Sequence, residues 1–184
     1  MASRREFAGL LSGGAIAAAV MGAGTKSAQA QTATSGGGTF KRILDSKKLR
    51  IGGVANGAPW TTKDQNTGKW GGHFYDIGAA LAADMGAEIE VVETTWGTAI
   101  LDLQAGKIDV MFGMNPTPKR ALAVNFSGPV YNSGLVMIVR PGITAKTWSD
   151  FNKPDMKIGV DMGSAHDQIA TRLCPKAQIT RFST

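Results

Sequence analysis

Strand-forming and helix-forming stretches alternate between residues 49 and 114, and this order restricts the fold more than any other feature of the chain. Three short stretches are predicted as strands: 49–54, 88–93 and 108–114. The two stretches between them repeat apolar residues at helical spacing and end at Gly86 and Gly106, as helices commonly do. Strand–helix–strand units form parallel sheets with right-handed crossovers, so the sequence predicts an α/β fold.

Two of the predicted helices have apolar faces that can be named residue by residue. The short helix before the first strand is predicted to face inward with Phe40, Ile43 and Leu44. The helix before the second strand is predicted to face inward with Phe74, Ile77, Leu81 and Met85. Residues 55–72, between them, are rich in turn formers and are predicted as a loop.

The pattern starts again after Tyr131, which predicts a second α/β unit. Its strands are predicted over 134–140, 156–160 and about 177–184. Its helix is predicted to begin at Ser164, where Ser164 and Asp167 have the spacing of a capping box. We therefore predict a first lobe over 40–131 and the beginning of a second lobe over 132–184.

Residues 1–30 are predicted to be a cleavable export signal, so they are set aside from the fold. Arg4 and Arg5 resemble a twin-arginine signal, and Ala28–Gln29–Ala30 has the small-x-small pattern of a cleavage site. A membrane anchor is the alternative, but the apolar stretch is short and diluted by glycine. Residues 31–39 are small and polar and are predicted to be a flexible leader. The predicted location is the periplasm, with cleavage near Ala30.

Charge, cysteine and histidine content exclude several kinds of site. The net charge is +6, but no basic run exceeds two residues, so we predict no nucleic-acid partner. The single cysteine, Cys174, cannot form an intramolecular disulfide and is predicted to be a core residue at a helix end. His73 and His166 lie far apart without metal-ligand spacing, so no metal or other cofactor is predicted.

Two cations stand where a helix is least suited to hold them. Thr117 is a suitable N-cap and Pro118 a suitable first helical residue for a helix to about Val124, which places Lys119 and Arg120 in its first turn. That end of a helix carries a partial positive charge, and a bound anion would remove the conflict. We predict that Arg120 binds a carboxylate and that Lys119 extends into water. The alternative is that both side chains are simply solvated.

The conspicuous residues of the first unit follow strand ends. Trp60 follows the first predicted strand, Trp96 the second, and residues 115–120 the third. In parallel sheets the loops after the carboxyl ends of strands line the ligand crevice, so we predict that these residues converge. Packing at the edge of the sheet is the alternative for each tryptophan.

Residues 49–184 resemble the family 3 extracellular solute-binding proteins, the periplasmic proteins that deliver polar amino acids to ABC importers. The resemblance is strongest in "WGTAILDLQAGKIDVMFGMNPTPKRALAVNFSGPVYNSGLVMIV", with weaker matches in "FYDIGAALAADMG", "TWSDF" and "KIGVDMGSA". It implies the type II periplasmic binding fold, in which two α/β lobes close on the ligand. It also implies a partner permease in the inner membrane, a monomeric full-length protein and no enzymatic activity.

The resemblance implies roles for seven residues. Arg120 binds the carboxylate of an amino acid, and the backbone N–H groups of Ser164 and Ala165 add to that binding. Gly113 and Asn115 lie in the segment that meets the amino group and carboxylate of the ligand, and Trp96 is an aromatic wall. Trp60 is a possible substitute for an aromatic residue that the family often has at the position of Gly57.

Other departures from the family pattern affect the second lobe and the first loop. The stretch "GGHFYD" keeps only Asp76 of the usual motif. The acidic residue that holds the ammonium group of the ligand, and the strand that returns to the first lobe, correspond to positions beyond Thr184. We therefore expect the second lobe to be incomplete, and the chain by itself to associate through exposed sheet edges rather than to bind ligand.

Three functions remain open on the sequence. The first is ligand binding for transport, signalled by closure of the lobes. The second is a dehydratase on the same fold acting on a small carboxylate, for which His166 is the candidate acid or base. The third is the ligand-sensing domain of a larger receptor.

Overall fold

The computed structural model describes residues 38–183; the predicted export signal and almost all of the leader lie outside these residues. The helices of the described part are α1 (Gly38–Ser46), α2 (His73–Asp84), α3 (Ala99–Gln104), α4 (Pro118–Ala121), α5 (Trp148–Phe151) and α6 (Ala165–Leu173). Its strands are β1 (Lys48–Gly53), β2 (Asn56–Gly57), β3 (Thr61–Lys63), β4 (Trp70–Gly71), β5 (Glu88–Glu93), β6 (Lys157–Asp161) and β7 (Gln178–Phe182).

The first parallel sheet is built around β1. β1 pairs with β5 in parallel, with Leu49 opposite Ile89 and Ile51 opposite Val91. On its other side Ile51 forms a parallel bridge with Val110. Leu49 and Ile51 are 1% and 0% exposed, so β1 is buried as a central parallel strand should be. This confirms the predicted order of strand, helix and strand over residues 49–93.

The prediction of a third strand over 108–114 is wrong for most of that stretch, since only Val110 is bridged to β1. The chain then turns at Phe112 and Gly113. Gly113 has a φ of 74°, and a Cβ atom there would lie 2.5 Å from the ring of Phe74. A left-handed residue against an aromatic ring ends the extended conformation that a longer ladder would need.

The buried face of α2 only partly matches the predicted one, because Phe74 is buried and Met85 packs against the core as predicted, but Leu81 does not. The buried residues are Phe74, Gly78 and Ala82, whereas Leu81 is 38% exposed. A Cβ atom on Gly78 would lie 3.0 Å from Ile51 and 3.2 Å from Ile89, so the small residues face the sheet and the helix approaches it closely. In α1 the prediction for Phe40 is likewise wrong, because its side chain is 56% exposed while Ile43 is 4% exposed.

The loop predicted after β1 contains a small antiparallel sheet of β2, β3 and β4. Thr61 fixes it to β1: its hydroxyl accepts from the backbone N–H of Val54 at 3.2 Å and donates to the carbonyl oxygen of the same residue at 3.0 Å. Trp60 lies between β2 and β3 and is thereby held beside the carboxyl end of β1.

The second unit has its own parallel pair, β6 and β7, with Ile158 opposite Ile179. Its core contains the buried residues Phe151, Ile158, Val160, Ala170 and Cys174. Cys174 is 0% exposed at the end of α6, which confirms the prediction for this residue.

The predicted strand at 134–140 is wrong, because that stretch has no regular secondary structure. Val136 and Ile138 are 75% and 93% exposed there. A strand needs a hydrogen-bonded neighbour, and within residues 38–183 none runs beside this stretch.

A buried carboxylate connects three parts of the first unit. The side chain of Asp109 is 2% exposed and accepts two hydrogen bonds from the Arg50 guanidinium, at 2.9 and 3.2 Å, and a further one from Arg42 of α1. Burial by itself would raise the pKa of Asp109, but the hydrogen bonds from Arg50 and Arg42 outweigh it and lower the pKa. The carboxylate therefore stays ionised and joins α1, β1 and the chain before Val110.

Candidate functional site

The helix that carries Arg120 begins as predicted. The Thr117 hydroxyl accepts a hydrogen bond from the backbone N–H of Arg120 at 3.3 Å, and Pro118 is the first helical residue. α4 has four residues and ends at Ala121, earlier than the predicted Val124, although turns continue to that residue. Lys119 is exposed and Arg120 is 8% exposed, as expected if only Arg120 serves the site.

The Arg120 guanidinium is buried between two backbone carbonyl groups. Nη1 donates to the carbonyl oxygen of Asn115 at 3.1 Å, and Nη2 donates to that of Gly163 at 3.0 Å. Arg120 forms no ion pair with any carboxylate among residues 38–183. Burial lowers the pKa of Arg120, which is the effect of desolvating a cation. A buried guanidinium with only neutral partners favours the arrival of an anion.

The turn that meets Arg120 follows β6 and leads into α6. Gly163 has a φ of 74°, and a Cβ atom there would lie 2.6 Å from the Cα atom of Gly97. Ser164 caps α6, and its hydroxyl accepts from the backbone N–H of Asp167 at 3.1 Å. The N-cap part of the predicted capping box is therefore confirmed.

The backbone N–H groups of Ser164 and Ala165, both predicted to face the anion, differ in whether they already have an acceptor. The N–H of Ser164 already donates to the carbonyl oxygen of Asp161 at 3.1 Å, which closes the turn. Ala165 is the first residue of α6, where an N–H group has no acceptor within the helix. Ala165 is thus the better placed of the two to donate to a ligand.

The loop that carries Trp96 is held by a hydroxyl network. The Thr94 hydroxyl donates to the Asp102 carboxylate at 2.7 Å and lies 3.1 Å from the Thr98 hydroxyl. The hydrogen bond from Thr94 is the largest cause of a lowered pKa at Asp102. This network fixes the loop after β5, so that Gly97, next to Trp96, lies against Gly163.

Trp60 and Gly113 belong to a second group, which is aromatic. Trp60 stacks on Phe74 with ring centroids 5.1 Å apart, and its ring lies 4.9 Å from that of Tyr131. His73 packs edge-on against Trp60 at 6.1 Å. Gly113 also contacts this group, since a Cβ atom there would lie 2.5 Å from the Phe74 ring. The structure thus joins Trp60 to Gly113 through Phe74, and Trp60 has the packing role that was one of its two interpretations.

Comparison with known proteins identifies the family. The sequence profile of the bacterial extracellular solute-binding proteins, family 3, matches residues 49–178. The chain belongs to this family. Among the helices described for residues 38–183, none has the length and hydropathy needed to cross a bilayer.

Relatives with assigned roles include both binding proteins and an enzyme. The chain is 28% identical over 131 residues to the arginine-binding extracellular protein ArtP of Bacillus subtilis, covering 71% of this chain and 50% of ArtP. It is 26% identical over 141 residues to a cyclohexadienyl dehydratase of Pseudomonas aeruginosa, covering 75% of this chain and 52% of the enzyme. The chain spans about half the length of these relatives.

Solved structures of similar proteins identify the fold as the type II periplasmic binding fold. One is the ancestral amino acid-binding protein AncCDT-1, a precursor of cyclohexadienyl dehydratase, at 37% identity and a TM-score of 0.74, covering 78% of this chain and 64% of that one. Another is an ancestral arginine-binding protein bound to arginine, at 31% identity and a TM-score of 0.69, covering 75% of this chain and 62% of that one. This chain spans less than two thirds of the length of each of these two solved structures.

Three residues at the site were missed by sequence reasoning. Gly163 supplies a carbonyl oxygen to Arg120, Gly97 contacts Gly163, and Asp167 had been assigned only a capping role. A signal was present for the two glycines, since each follows the carboxyl end of a predicted strand within a few residues. Their contact with each other had no local signal.

Proposed function

We propose that this protein binds an amino acid through its α-carboxylate and delivers it to an ABC importer from the periplasm. The observation that carries the proposal is the buried Arg120 guanidinium, which has carbonyl groups but no carboxylate as partners among residues 38–183. A carboxylate can accept two parallel hydrogen bonds from a guanidinium and neutralise its charge.

The named relatives support an amino acid as the ligand class. Besides ArtP, the chain is 31% identical over 124 residues to a probable histidine-binding protein of Campylobacter jejuni, covering 66% of this chain and 47% of that protein. Arginine and histidine share only the α-amino and α-carboxylate groups as a rigid unit. A site that binds the α-carboxylate through an arginine can therefore serve relatives whose ligands have different side chains.

The first proposed contacts lie around Arg120 and the start of α6. Arg120 is the carboxylate anchor, and the N–H groups at the start of α6, those of Ala165 and secondarily Ser164, add to it. Trp96 forms a wall of the site beside the Gly97–Gly163 contact.

The remaining predicted site residues lie at the end of the first sheet. Asn115 and Gly113 line the segment where the amino group of the ligand is expected. Trp60, at the edge of the aromatic group, is proposed as a second wall for the side chain of the ligand.

The cellular setting is proposed together with the ligand. Residues 1–30 direct export and are removed, a first lobe over 40–131 and a second lobe beginning at 132 close on the ligand, and the permease in the inner membrane recognises the closed form. The two core clusters support this division into lobes, since one contains residues between 43 and 112 and the other residues between 137 and 179.

A ligand panel tests the proposal directly. The full chain, and the same chain extended by the remaining second-lobe residues of a solved relative, are titrated calorimetrically with L-arginine, L-histidine, L-glutamine and prephenate. We expect the extended chain to bind at least one of the amino acids, and prephenate to remain unchanged during incubation. Consumption of prephenate would favour the dehydratase instead, for which the exposed His166 on α6 is the candidate acid or base. Failure of both proteins to bind any amino acid would reject the proposal.

A further inference from the structure

Asp167 makes contacts that a helix cap does not require. It is the third residue of α6, where an acidic side chain usually reaches back to the backbone N–H of the N-cap residue. Here the Asp167 carboxylate reaches one residue further and accepts from the N–H of Gly163 at 3.1 Å. The N-cap N–H, that of Ser164, donates to the carbonyl oxygen of Asp161 instead.

These two hydrogen bonds fix the peptide groups on both sides of Gly163. The peptide before Gly163 is held by Asp167, and the peptide after it is held by Asp161. The carbonyl oxygen of Gly163 is thereby directed to Arg120, at 3.0 Å from Nη2. The same orientation brings Gly163 against Gly97, next to Trp96.

Asp167 is itself held from a separate strand. Oδ2 accepts from Gly163, while Oδ1 accepts from Arg181 Nε at 2.8 Å and from the Thr171 hydroxyl at 3.2 Å. Arg181 lies on β7 and also donates through Nη2 to the Thr171 hydroxyl at 2.8 Å. Asp167 is 9% exposed, so both carboxylate oxygens are directed by protein groups rather than by water.

The carboxylate is ionised in this arrangement. Burial by itself raises the pKa of Asp167, but the hydrogen bond from Gly163 and the ion pair with Arg181 outweigh that effect and lower the pKa. The charged form is the one that can accept from Gly163, Thr171 and Arg181 at once.

We propose that Asp167, anchored by Arg181, is a positioning residue that sets the Gly163 turn against Arg120 and thereby tunes ligand affinity. The inference rests on the proposed function, because Arg120 is taken as the carboxylate anchor. Asp167 does not touch the ligand in this proposal. It acts through Gly163, whose carbonyl group determines where the Arg120 guanidinium lies.

Asp167→Asn tests the inference, with Asp150→Asn as the matched control. Asp150 caps α5 in the same unit by accepting from the backbone N–H groups of Lys146 and Thr147 at 2.9 and 2.8 Å, but it makes no contact with the Gly163 turn. Both variants remove one charged oxygen from a capping carboxylate. Affinity is measured for the amino acid of the panel that binds, and amide spectra of the full chain are recorded by NMR with ¹⁵N-labelled glycine and arginine.

We expect Asp167→Asn to weaken binding by about fivefold or more and to shift the amide resonances of Gly97 and the Nε resonance of Arg120. Asp150→Asn should leave affinity and both resonances unchanged. If Asp167→Asn is poorly folded, Arg181→Gln is the second variant. It leaves the Asp167 carboxylate in place but removes the ion pair that holds it to β7.

Two outcomes of these measurements distinguish a failure of this inference from a failure of the proposed function. If Asp167→Asn lowers only the melting temperature, as Asp150→Asn does, and leaves Gly97, Arg120 and affinity unchanged, Asp167 is a helix cap and the inference is overturned. If the wild-type protein binds no amino acid, the proposed function fails. The Gly97 and Arg120 resonances then decide by themselves whether Asp167 positions the turn.

Discussion

The guanidinium of Arg120 donates a hydrogen bond to the carbonyl oxygen of Gly163, 43 residues further along the chain, at 3.0 Å. This contact joins the helix after the first sheet to the turn after β6. It brings together two segments that were predicted to take part in anion binding, the start of α4 and the start of α6.

Arg120→Lys is expected to weaken amino-acid binding by more than about tenfold, which is roughly 1.4 kcal/mol, because an ammonium group cannot donate two parallel hydrogen bonds to a carboxylate. Lys119→Ala, at the exposed neighbouring position, is the control and should change affinity less than twofold. Calorimetric titration of the extended chain measures both. Equal losses in the two variants would indicate general electrostatic attraction instead of a specific anchor.

Gly163→Ala is expected to destabilise the protein more than Gly142→Ala. Both glycines have a positive φ, 74° and 90°, so each alanine incurs about 1 kcal/mol of backbone strain. Only at Gly163 would the new Cβ atom meet backbone, 2.6 Å from Gly97, whereas at Gly142 no atom lies within 4 Å. The free energy of unfolding, from urea denaturation, should fall by at least about 1 kcal/mol more for Gly163→Ala. Equal losses would mean that the contact with Gly97 is not maintained in solution.

Asp109→Asn is expected to lower the free energy of unfolding at pH 7 by about 2 to 3 kcal/mol, because it leaves Arg50 and Arg42 without their buried counter-ion. Asp45→Asn is the control, since the Lys41–Asp45 pair is exposed and should contribute less than about 0.5 kcal/mol.

The same variant should change the dependence of stability on pH. The pKa of Asp109 is lower in the folded protein than its unfolded value of about 3.9, so its ionised form stabilises the fold above that pH. The stabilisation is lost as the pH falls through the folded pKa. Between pH 5 and pH 2 the wild-type protein should therefore lose more stability than Asp109→Asn, and parallel curves would contradict the ion pair.

Val136→Lys combined with Ile138→Lys is expected to reduce self-association of the chain. These residues are 75% and 93% exposed on a stretch that has no regular secondary structure and no strand partner within residues 38–183. Such a stretch can pair with another copy, and lysine on an edge opposes that pairing. Sedimentation velocity at increasing concentration measures the change. Leu101→Lys, at a 63% exposed helical position, is the control, and an equal reduction there would point to general surface hydrophobicity.

Arg4→Lys combined with Arg5→Lys is expected to leave the precursor in the cytoplasm, because the twin-arginine route requires the arginine pair. These residues lie outside the described part of the chain, and the prediction depends on sequence alone. Immunoblots of periplasmic and cytoplasmic fractions measure the outcome, with a reporter of the general secretory route as the control. Unchanged periplasmic yield would assign export to that general route.

Much of the fold was predictable because its signals are local. β1 and β5 were predicted from short apolar patterns. The starts of α4 and α6 were predicted from Thr117 and Ser164, whose hydroxyl groups accept hydrogen bonds from backbone N–H groups only three residues away. Arg120 was singled out as a candidate anchor for the same reason, since a cation in the first turn of a helix is unfavourable within that turn alone.

What failed depended on neighbours distant in sequence. The buried face of α2 was set by how closely Gly78 approaches Ile51 and Ile89, and the stretch 134–140 lacked the partner that a strand requires. The packing of Phe74 and Tyr131 against Trp60 likewise had no local signal, because these rings come from separate parts of the chain.

The sequence by itself determined the α/β order of elements, the helix caps and the identity of the candidate anchor, because each of these depends on hydrogen bonds and periodicities within a few residues. The tertiary structure alone decided that the carbonyl group of Gly163 meets Arg120, that Gly97 contacts Gly163, and that Asp167 reaches past its own N-cap. Those contacts join segments separated by tens of residues or depend on the exact path of a turn. They follow from the packing of complete sheets and helices, which no local pattern specifies.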